Sequence, residues 1–239
     1  MALTDNLICY YKLDGDSTDI FGSNGTDTNI TYSSANGKLT QGAGFNGTSS
    51  KIVNNGIVSL LANSTVGTIS FWANITSTGD ERILFAISVS SGSQSEFFID
   101  WRDDSAKCLL FVIKKDGVNQ TVLQSNNNTL TSWQGSWKHF CLIQDGVSVK
   151  LYVNSVLTNF AGINSTAWFK SAITDATTKA NVSRLGTLAR SGSEIAFYNG
   201  KLDEFAIWDR ALSQGEINDL YLGGNGSQYP FRDKGFLMF

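Results

Sequence analysis

The sequence predicts an all-β fold, a jelly-roll sandwich of two antiparallel sheets with one or two short helices. Short runs of alternating apolar and polar residues recur between clusters of Gly, Asn, Ser and Asp, which is typical of antiparallel strands joined by turns. The 239 residues show no repeat and no composition break, and sandwiches of this length form one unit. We therefore expect a jelly roll over residues 1–228 and a short aromatic tail over residues 229–239.

The individual strands follow from this alternation. The clearest covers 147–154, where the apolar residues at odd positions would share one face and the residues at even positions the other. Further strands are predicted over 7–13, 67–75, 82–89, 96–102, 107–115, 137–144, 181–188 and 201–209.

Turns and helices complete the predicted elements. Asp116-Gly117 and Asp145-Gly146 stand between strand runs, and an Asp-Gly pair there indicates a hairpin, most clearly the second. One short apolar helix is predicted over 57–62. A second is predicted over 213–221, where Ser213 and Glu216 have the spacing of a capping box.

Composition excludes several classes of function. Charged residues make up 16% of the chain and the net charge is −3, without a basic block that would neutralise phosphates, so nucleic acid is not an expected partner. No apolar run approaches the roughly 18 residues of a membrane span. The first residues lack the pattern of a signal peptide. We expect the protein to be cytoplasmic, or to reach a virion or the cell exterior by a route that needs no signal.

The cysteines and the histidine do not indicate a metal or catalytic centre. Cys9, Cys108 and Cys141 each lie in an apolar strand-like run without a CxxC pair, which is typical of buried reduced thiols. His139 lies in an apolar strand with no Ser or Cys partner motif, so we expect it to be structural.

Four stretches of sequence together resemble one family. GKLDEFAIWDRALS (200–213), continued by Glu216, resembles the closing strand and helix of the laminin-G-like jelly rolls of the concanavalin A-like lectin/glucanase superfamily. Residues 6–25 resemble the opening strand and loop of that family, TISFWAN (68–74) resembles an inner strand, and WKHFCL (137–142) with LYVN (151–154) resembles a hairpin. Ser155 stands where the family has a turn glycine, and Phe140 where a smaller residue is common. The resemblance covers residues 5–228 and implies the fold more strongly than the function.

The resemblance also implies a calcium site. If 201–209 is a regular strand, Asp203 points to the core-facing side together with Phe205 and Ile207, and a buried carboxylate needs a partner. The family often holds a structural Ca²⁺ where this strand meets the opening loop, and Ca²⁺ takes about six to eight oxygen ligands. The expected ligands are Asp16, Asp19, Asn24 and Asp203, with Asp14 also in the loop. The alternative is that these acids cap turns.

The tryptophans are candidates for a ligand site, because sugar rings stack on aromatic faces in lectin-like sites. Trp101 lies on the opposite face of its strand from the polar residues, which include Arg102. Its ring therefore either packs in the core or serves as a platform for a sugar ring. Trp168 lies among hydroxyl residues and next to Lys170, which predicts an exposed ring. Trp101, Arg102 and Trp168 are therefore the expected ligand residues, with core packing as the alternative for both tryptophans.

An enzyme is not expected. The glucanases of the superfamily place two carboxylates along one strand as E-x-D-x-x-E, and retaining glycosidases need them about 5–5.5 Å apart. Glu96 and Asp100 are four residues apart and Asp203 and Glu204 are adjacent, so neither pair has that spacing.

Two functions remain. The first is a non-catalytic module that recognises a cell-surface glycan or protein, as a component of a phage or viral particle. The second is a virion building block of capsid or tail, whose partners are other copies and neighbouring proteins. The aromatic tail favours the second, since an apolar chain end often packs against a partner.

Overall fold

The computed structural model of the chain describes residues 1–76, 81–91, 94–103, 107–126 and 129–231. In these ranges the strands are β1 (Leu7–Tyr11), β2 (Thr26–Thr28), β3 (Thr31–Ser33), β4 (Gly42–Asn46), β5 (Lys51–Val53), β6 (Gly67–Ile75), β7 (Ile83–Ser88), β8 (Glu96–Arg102), β9 (Cys108–Lys115), β10 (Val118–Ser125), β11 (Trp137–Gln144), β12 (Val149–Val153), β13 (Val156–Thr158), β14 (Phe160–Ile163), β15 (Val182–Leu185), β16 (Leu188–Arg190), β17 (Ser193–Ile195) and β18 (Asn199–Trp208). The helices are α1 (Gly56–Leu61), α2 (Thr129–Trp133), α3 (Phe169–Ile173) and α4 (Gln214–Tyr221).

Most strands belong to two antiparallel sheets. Sheet A has the order β13-β12-β11-β6-β18-β4-β3, and β1 also pairs with β18. Sheet B has the order β14-β10-β9-β8-β7-β15-β5-β2, and β16 and β17 form a separate hairpin. Both sheets contain eight strands, so the predicted all-β sandwich is confirmed.

The main core lies between the two sheets. Along β6, Ile69 and Phe71 are buried in it, and Phe71 stacks on Phe140 of β11 with ring centroids 5.4 Å apart. Phe205 of β18 contacts Phe85 of sheet B at 5.2 Å. In β6 the alternate residues Ile69 and Phe71 share the face toward this core, because successive side chains of a strand point to opposite faces.

The outer face of sheet A is covered by the C-terminal part of the chain. Helix α4 packs Ile217 and Leu220 on this face, in a cluster that includes Trp208. The helix begins at a capping box, in which the Ser213 side chain accepts from the Glu216 backbone and the Glu216 side chain accepts from the Ser213 backbone. The predicted capping box is confirmed.

The described part of the aromatic tail packs on the sandwich itself. The rings of Tyr229 and Phe231 each lie 5.7 Å from that of Tyr10, and the backbone N–H of Tyr229 donates to the Tyr10 hydroxyl at 2.8 Å. Phe231 is also 6.3 Å from Trp208. Residues 232–239 of the predicted tail lie outside the described residues.

The turn at 145–148 differs from the prediction. The register pairs Gln144 with Val149, so β12 begins two residues later than expected. The Asp145 carboxylate accepts from the backbone N–H groups of both Val147 and Ser148, at 2.9 and 3.0 Å, and this closes a wider turn. Val147 is consequently 76% exposed and does not belong to the buried face of the strand.

A β-bulge in β18 changes the predicted orientation of Asp203. The register against β6 shifts between Asp203 and Ala206, and Glu204 has a positive φ of 54°. An inserted residue reverses the alternation, so Phe205 faces the main core whereas Asp203 pairs with Trp72, which stacks on Tyr221 of α4. The expectation that Asp203 and Phe205 share a face is wrong.

Two further predictions concern the cysteines and the possibility of a membrane-spanning helix. The cysteines at 9, 108 and 141 are buried as free thiols. Within the described ranges, no helix combines the length and apolar character needed to cross a membrane.

Candidate functional site

A surface groove beside Trp168 encloses about 410 Å³. Its lining comes from the segment leading into β6, the first half of β10, the β11–β12 turn, and α3 with the segments on both sides of it. The lining residues are Thr65, Val66, Gln120, Gly146, Ser165, Thr166, Ala167, Trp168, Lys170, Ser171 and Asp175.

One wall of the groove is held by a buried amide. Gln144, the last residue of β11, is 0% exposed, and its Nε2 donates to the carbonyls of Ser165 and Ala167 at 3.0 and 3.1 Å. Asn164 is tied to Val149 in both directions, accepting from its N–H at 2.9 Å and donating to its carbonyl at 3.0 Å. Because these bonds fix the backbone of the loop, the wall is organised before any ligand arrives.

The side chains of the groove leave polar groups available. Thr65, Thr166 and Ser171 make no side-chain hydrogen bond within the described part of the chain. Lys170 Nζ lies 3.8 Å from Asp175 Oδ1, and both side chains are about two-fifths exposed, 38% and 43%. The groove therefore offers hydroxyl groups and one balanced pair of charges.

Trp168 is buried, which corrects the prediction that its ring is exposed. The side chain is 1% exposed and packs on Phe97, Phe111 and Phe169 with centroid distances of 5.1, 5.9 and 5.0 Å. Helix α3, which the sequence did not predict, begins at Phe169 and packs this segment on the core. The ring of Trp168 is therefore buried although its neighbours in the sequence carry hydroxyl groups. Trp168 contributes to the groove as buried support and offers no open ring face.

Trp101 and Arg102 are not part of this groove. Trp101 is 0% exposed and lies in the core, 5.9 Å from Trp133 and 6.1 Å from Phe140, so it cannot act as a platform for a sugar ring. The Arg102 guanidinium lies at the end of β8, 4.0 Å from the Asp100 carboxylate. The three ligand residues expected from the sequence are thus not brought together, and only Trp168 reaches the groove.

The acids of the opening loop act as turn caps. Asp19 is 2% exposed, and its two oxygens accept from the backbone N–H groups of Tyr10 at 2.8 Å and Ser23 at 3.1 Å. Asn24 Oδ1 accepts from the Asp19 N–H at 3.0 Å, and exposed Asp16 accepts from the Thr18 N–H at 2.9 Å. Each of the three residues that the sequence predicted as calcium ligands in this loop therefore accepts at least one backbone N–H.

Asp203 and Glu204 form a second acidic centre at the bulge of β18. Asp203 Oδ2 accepts from the N–H groups of Lys38 and Leu39 at 2.7 and 2.9 Å, and Glu204 Oε1 accepts from Gln228 at 2.8 Å. Their other oxygens, Asp203 Oδ1 and Glu204 Oε2, are buried without a hydrogen-bond partner. Burial raises the pKa of Asp203 to about 7 and that of Glu204 to about 8.

The three carboxylates among the predicted calcium ligands do not form one cluster. Among the described residues, no group of three or more His, Cys, Asp or Glu side chains is arranged to hold a metal. Asp203 retains an unbonded oxygen, but Asp16, Asp19 and Asn24 are used elsewhere, as described above. Calcium binding itself stays a prediction.

The remaining carboxylate pair lacks the geometry of a glycosidase. Glu96 is 0% exposed and accepts two hydrogen bonds from the Arg190 guanidinium, at 2.7 and 2.9 Å. Asp100 lies four residues further along the same strand, about 13 Å away at the usual rise. This exceeds the separations of about 5–9.5 Å that glycosidases use.

In two other grooves most of the polar side chains are engaged in hydrogen bonds within the described residues. In a groove of about 270 Å³ along β4 and β18, Asn46 Oδ1 accepts from the N–H groups of residues 48–50, and Asn36 donates to Thr31. In one of about 580 Å³ beside the C-terminal segment, Gln228 is bonded to Asp14 and Glu204. The groove of about 580 Å³ also has two hydroxyls without a hydrogen bond in the described residues, those of Ser227 and Tyr229. The groove at Trp168 has three, those of Thr65, Thr166 and Ser171.

No signal in the sequence identifies Gln144 or Asn164. Gln144 ends an apolar strand run and Asn164 lies in one of many Asn-, Ser- and Thr-rich stretches, and only the folded loop shows what their amides contact.

Comparisons with known proteins extend this description. A laminin-G family model, described as the concanavalin A-like lectin/glucanases superfamily, matches residues 24–218. No curated protein matches the chain.

Several solved structures are similar in fold. Domain 4 of AbnA, a GH43 extracellular arabinanase from Geobacillus stearothermophilus, in complex with arabinotriose, is 20% identical with a TM-score of 0.61, over 90% of this chain and 97% of that one. The CBM40 of the Ruminococcus gnavus IT-sialidase bound to α2,3 sialyllactose is 17% identical with a TM-score of 0.60, over 74% and 93%. The receptor-binding domain of botulinum neurotoxin C/D mosaic serotype is 15% identical with a TM-score of 0.64, over 92% of this chain and 51% of that one.

Proposed function

Because the chain belongs to the concanavalin A-like lectin/glucanases superfamily, with a laminin-G match over residues 24–218, we propose that it is a non-catalytic carbohydrate-binding module. We place the saccharide in the groove beside Trp168. The observation that carries this proposal is the set of unbonded hydroxyls at Thr65, Thr166 and Ser171 along a loop wall that Gln144 holds in place. Sugar hydroxyls need such donors and acceptors at fixed positions.

We further propose that the ligand is a neutral saccharide. The groove contains one cation, Lys170, and its charge is balanced by Asp175 at 3.8 Å. An acidic sugar would need an unpaired cation, because a carboxylate is bound most strongly by charge-assisted hydrogen bonds. The similar structures include modules with arabinotriose and with sialyllactose, so the charge of the groove is what separates these two classes for this chain.

The experiment is a glycan array followed by titration of the best neutral ligand. Lys170→Ala and Thr166→Ala should each weaken binding about tenfold, the equivalent of about 1.4 kcal/mol for a lost hydrogen bond. Lys201→Ala is the matched control, because Lys201 lines the groove along β4 and β18. The affinity for a neutral ligand should change little with ionic strength, whereas screening would weaken an acidic one.

Two results would contradict the proposal. One is binding that the variants at 166 and 170 leave unchanged. The other is exclusive recognition of acidic glycans with strong salt dependence.

A calcium ion, if it belongs to this module, is proposed to lie at Asp203 and Glu204 and not in the opening loop. Two buried carboxylate oxygens without partners lie at the same bulge, and the nearby charge of Asp14 adds to the raised pKa of Asp203. A cation there would stabilise the ionised forms. Adding millimolar Ca²⁺ to EDTA-treated protein should raise the Tm, with the rise lost in Asp203→Asn and kept in Asp16→Asn. An unchanged wild-type Tm removes calcium from the proposal.

The place of the module in a phage or viral particle is likewise a proposal. It rests on the sequence alone, and mass spectrometry of purified particles from the source tests it. The alternative of a particle building block without a small ligand predicts self-association and no glycan binding.

A further inference from the structure

Both sheets end at the same side of the sandwich in consecutive strands. β13 (Val156–Thr158) is the last strand of sheet A and β14 (Phe160–Ile163) the last of sheet B. Within the described ranges, β13 pairs only with β12, and β14 only with β10. The free side of an edge strand presents backbone N–H and C=O groups that can pair with another strand.

This edge is apolar and carries no charge. Val156, Leu157 and Ile163 are 66%, 59% and 57% exposed. The segment VLTNFAGI (156–163) contains no Lys, Arg, Asp, Glu or Pro. Proteins usually protect an exposed edge with such residues, so the edge formed by β13 and β14 lacks the common protection against strand pairing.

The opposite edge of the sandwich differs. β2 (Thr26–Thr28) contains Asp27, whose carboxylate accepts hydrogen bonds from Ser17 at 2.6 Å and from Tyr32 of β3 at 2.8 Å. No residue of β2 or β3 is among the exposed large apolar residues. The unprotected character is therefore specific to the β13/β14 edge.

We propose that the β13/β14 edge is an interaction surface at which the chain pairs with a second copy of itself, strand against strand. The free backbone groups need an extended strand, which saccharides and nucleic acids do not provide. A two-fold arrangement brings the same patch together from both copies and is self-complementary. Because the segment is uncharged, two copies approach there without like-charge repulsion, although each chain carries a net charge of −3. Leu157 and Ile163 would be buried between the copies.

The test is sedimentation velocity of the full chain from low micromolar to several hundred micromolar. We expect a concentration-dependent dimer. Leu157→Lys and Ile163→Lys should each shift the protein to monomer, since each would place an unpaired charge in the apolar contact between the copies. Val118→Lys is the matched control, because this valine is equally exposed at 62% but lies at the far end of β10. It should dimerise like the wild type.

Thermal unfolding of the three variants checks that each is folded. A wild-type protein that stays monomeric throughout overturns the proposal, and so does a dimer that both edge lysines leave intact. A larger assembly that needs another protein would also overturn it. The groove at Trp168 is not involved in this readout, so glycan binding can fail or succeed independently.

Discussion

Gln144→Leu should both destabilise the protein and lower the affinity of the groove at Trp168 for its ligand. The Gln144 side chain donates to two carbonyls, those of Ser165 and Ala167, and its Oε1 accepts from the Gly146 N–H at 3.0 Å. Leucine fills a similar volume but leaves three backbone groups without their partner. At about 1 kcal/mol for each lost bond, the loss of stability is about 3 kcal/mol.

Urea unfolding followed by tryptophan fluorescence measures this loss, and the Tm should fall by about 6–12 °C for a chain of this size. Gln94→Leu is the matched control, because Gln94 is exposed and its side chain makes no hydrogen bond within the described residues. Its free energy of unfolding should change by less than about 0.5 kcal/mol. The groove affinity of Gln144→Leu should drop under conditions where the protein is still folded, because the loop wall is released.

A stability loss in Gln144→Leu no larger than that of the control would refute this reasoning. So would full glycan affinity in a variant that is measurably destabilised, since the loop would then be held by other contacts.

Three other substitutions test the packing around sheet A. Burial lowers the pKa of His139 to about 3, so below pH 6.5 the unfolded state binds a proton at this histidine that the native state does not bind. The free energy of unfolding of the wild type relative to His139→Gln, measured with urea, should therefore fall by about 2 kcal/mol from pH 7 to pH 5. The same pH dependence of stability in both proteins would contradict this. Phe231→Ala removes a ring packed on Tyr10 and Trp208 and should lower the free energy of unfolding by about 3 kcal/mol in the same assay. A decrease below about 1 kcal/mol would show that the tail does not pack on the sandwich. Ser213→Ala removes the cap of α4 and should cost about 1 kcal/mol by thermal unfolding, with Ser227→Ala as control.

The alternation of the sequence predicts much of the framework. The predicted strand over 137–144 coincides with β11 (Trp137–Gln144), and that over 96–102 coincides with β8 (Glu96–Arg102). These strands are long and buried, so their hydrophobic period is strong. Short edge strands such as β13 and β14 were not predicted, because three or four residues carry too little of a period to recognise.

The candidate site was much less predictable. The polar neighbours of Trp168 in the sequence predict an exposed ring, but exposure depends on which elements pack over a residue and not on its neighbours in the chain. The regular alternation predicts the wrong face for Asp203 because a bulge adds one residue, and a shift of one residue reverses every following side chain.

By itself, the sequence determined the all-β class, the capping box of α4 and the resemblance to the superfamily, because each depends on local spacing along the chain. The tertiary structure alone decided that Gln144 supports the loop at Ser165, that Trp168 is buried beneath the groove, and that the two sheets end in the consecutive uncharged strands β13 and β14. These features depend on contacts between segments that are distant in the chain, and local periodicity carries no information about such contacts.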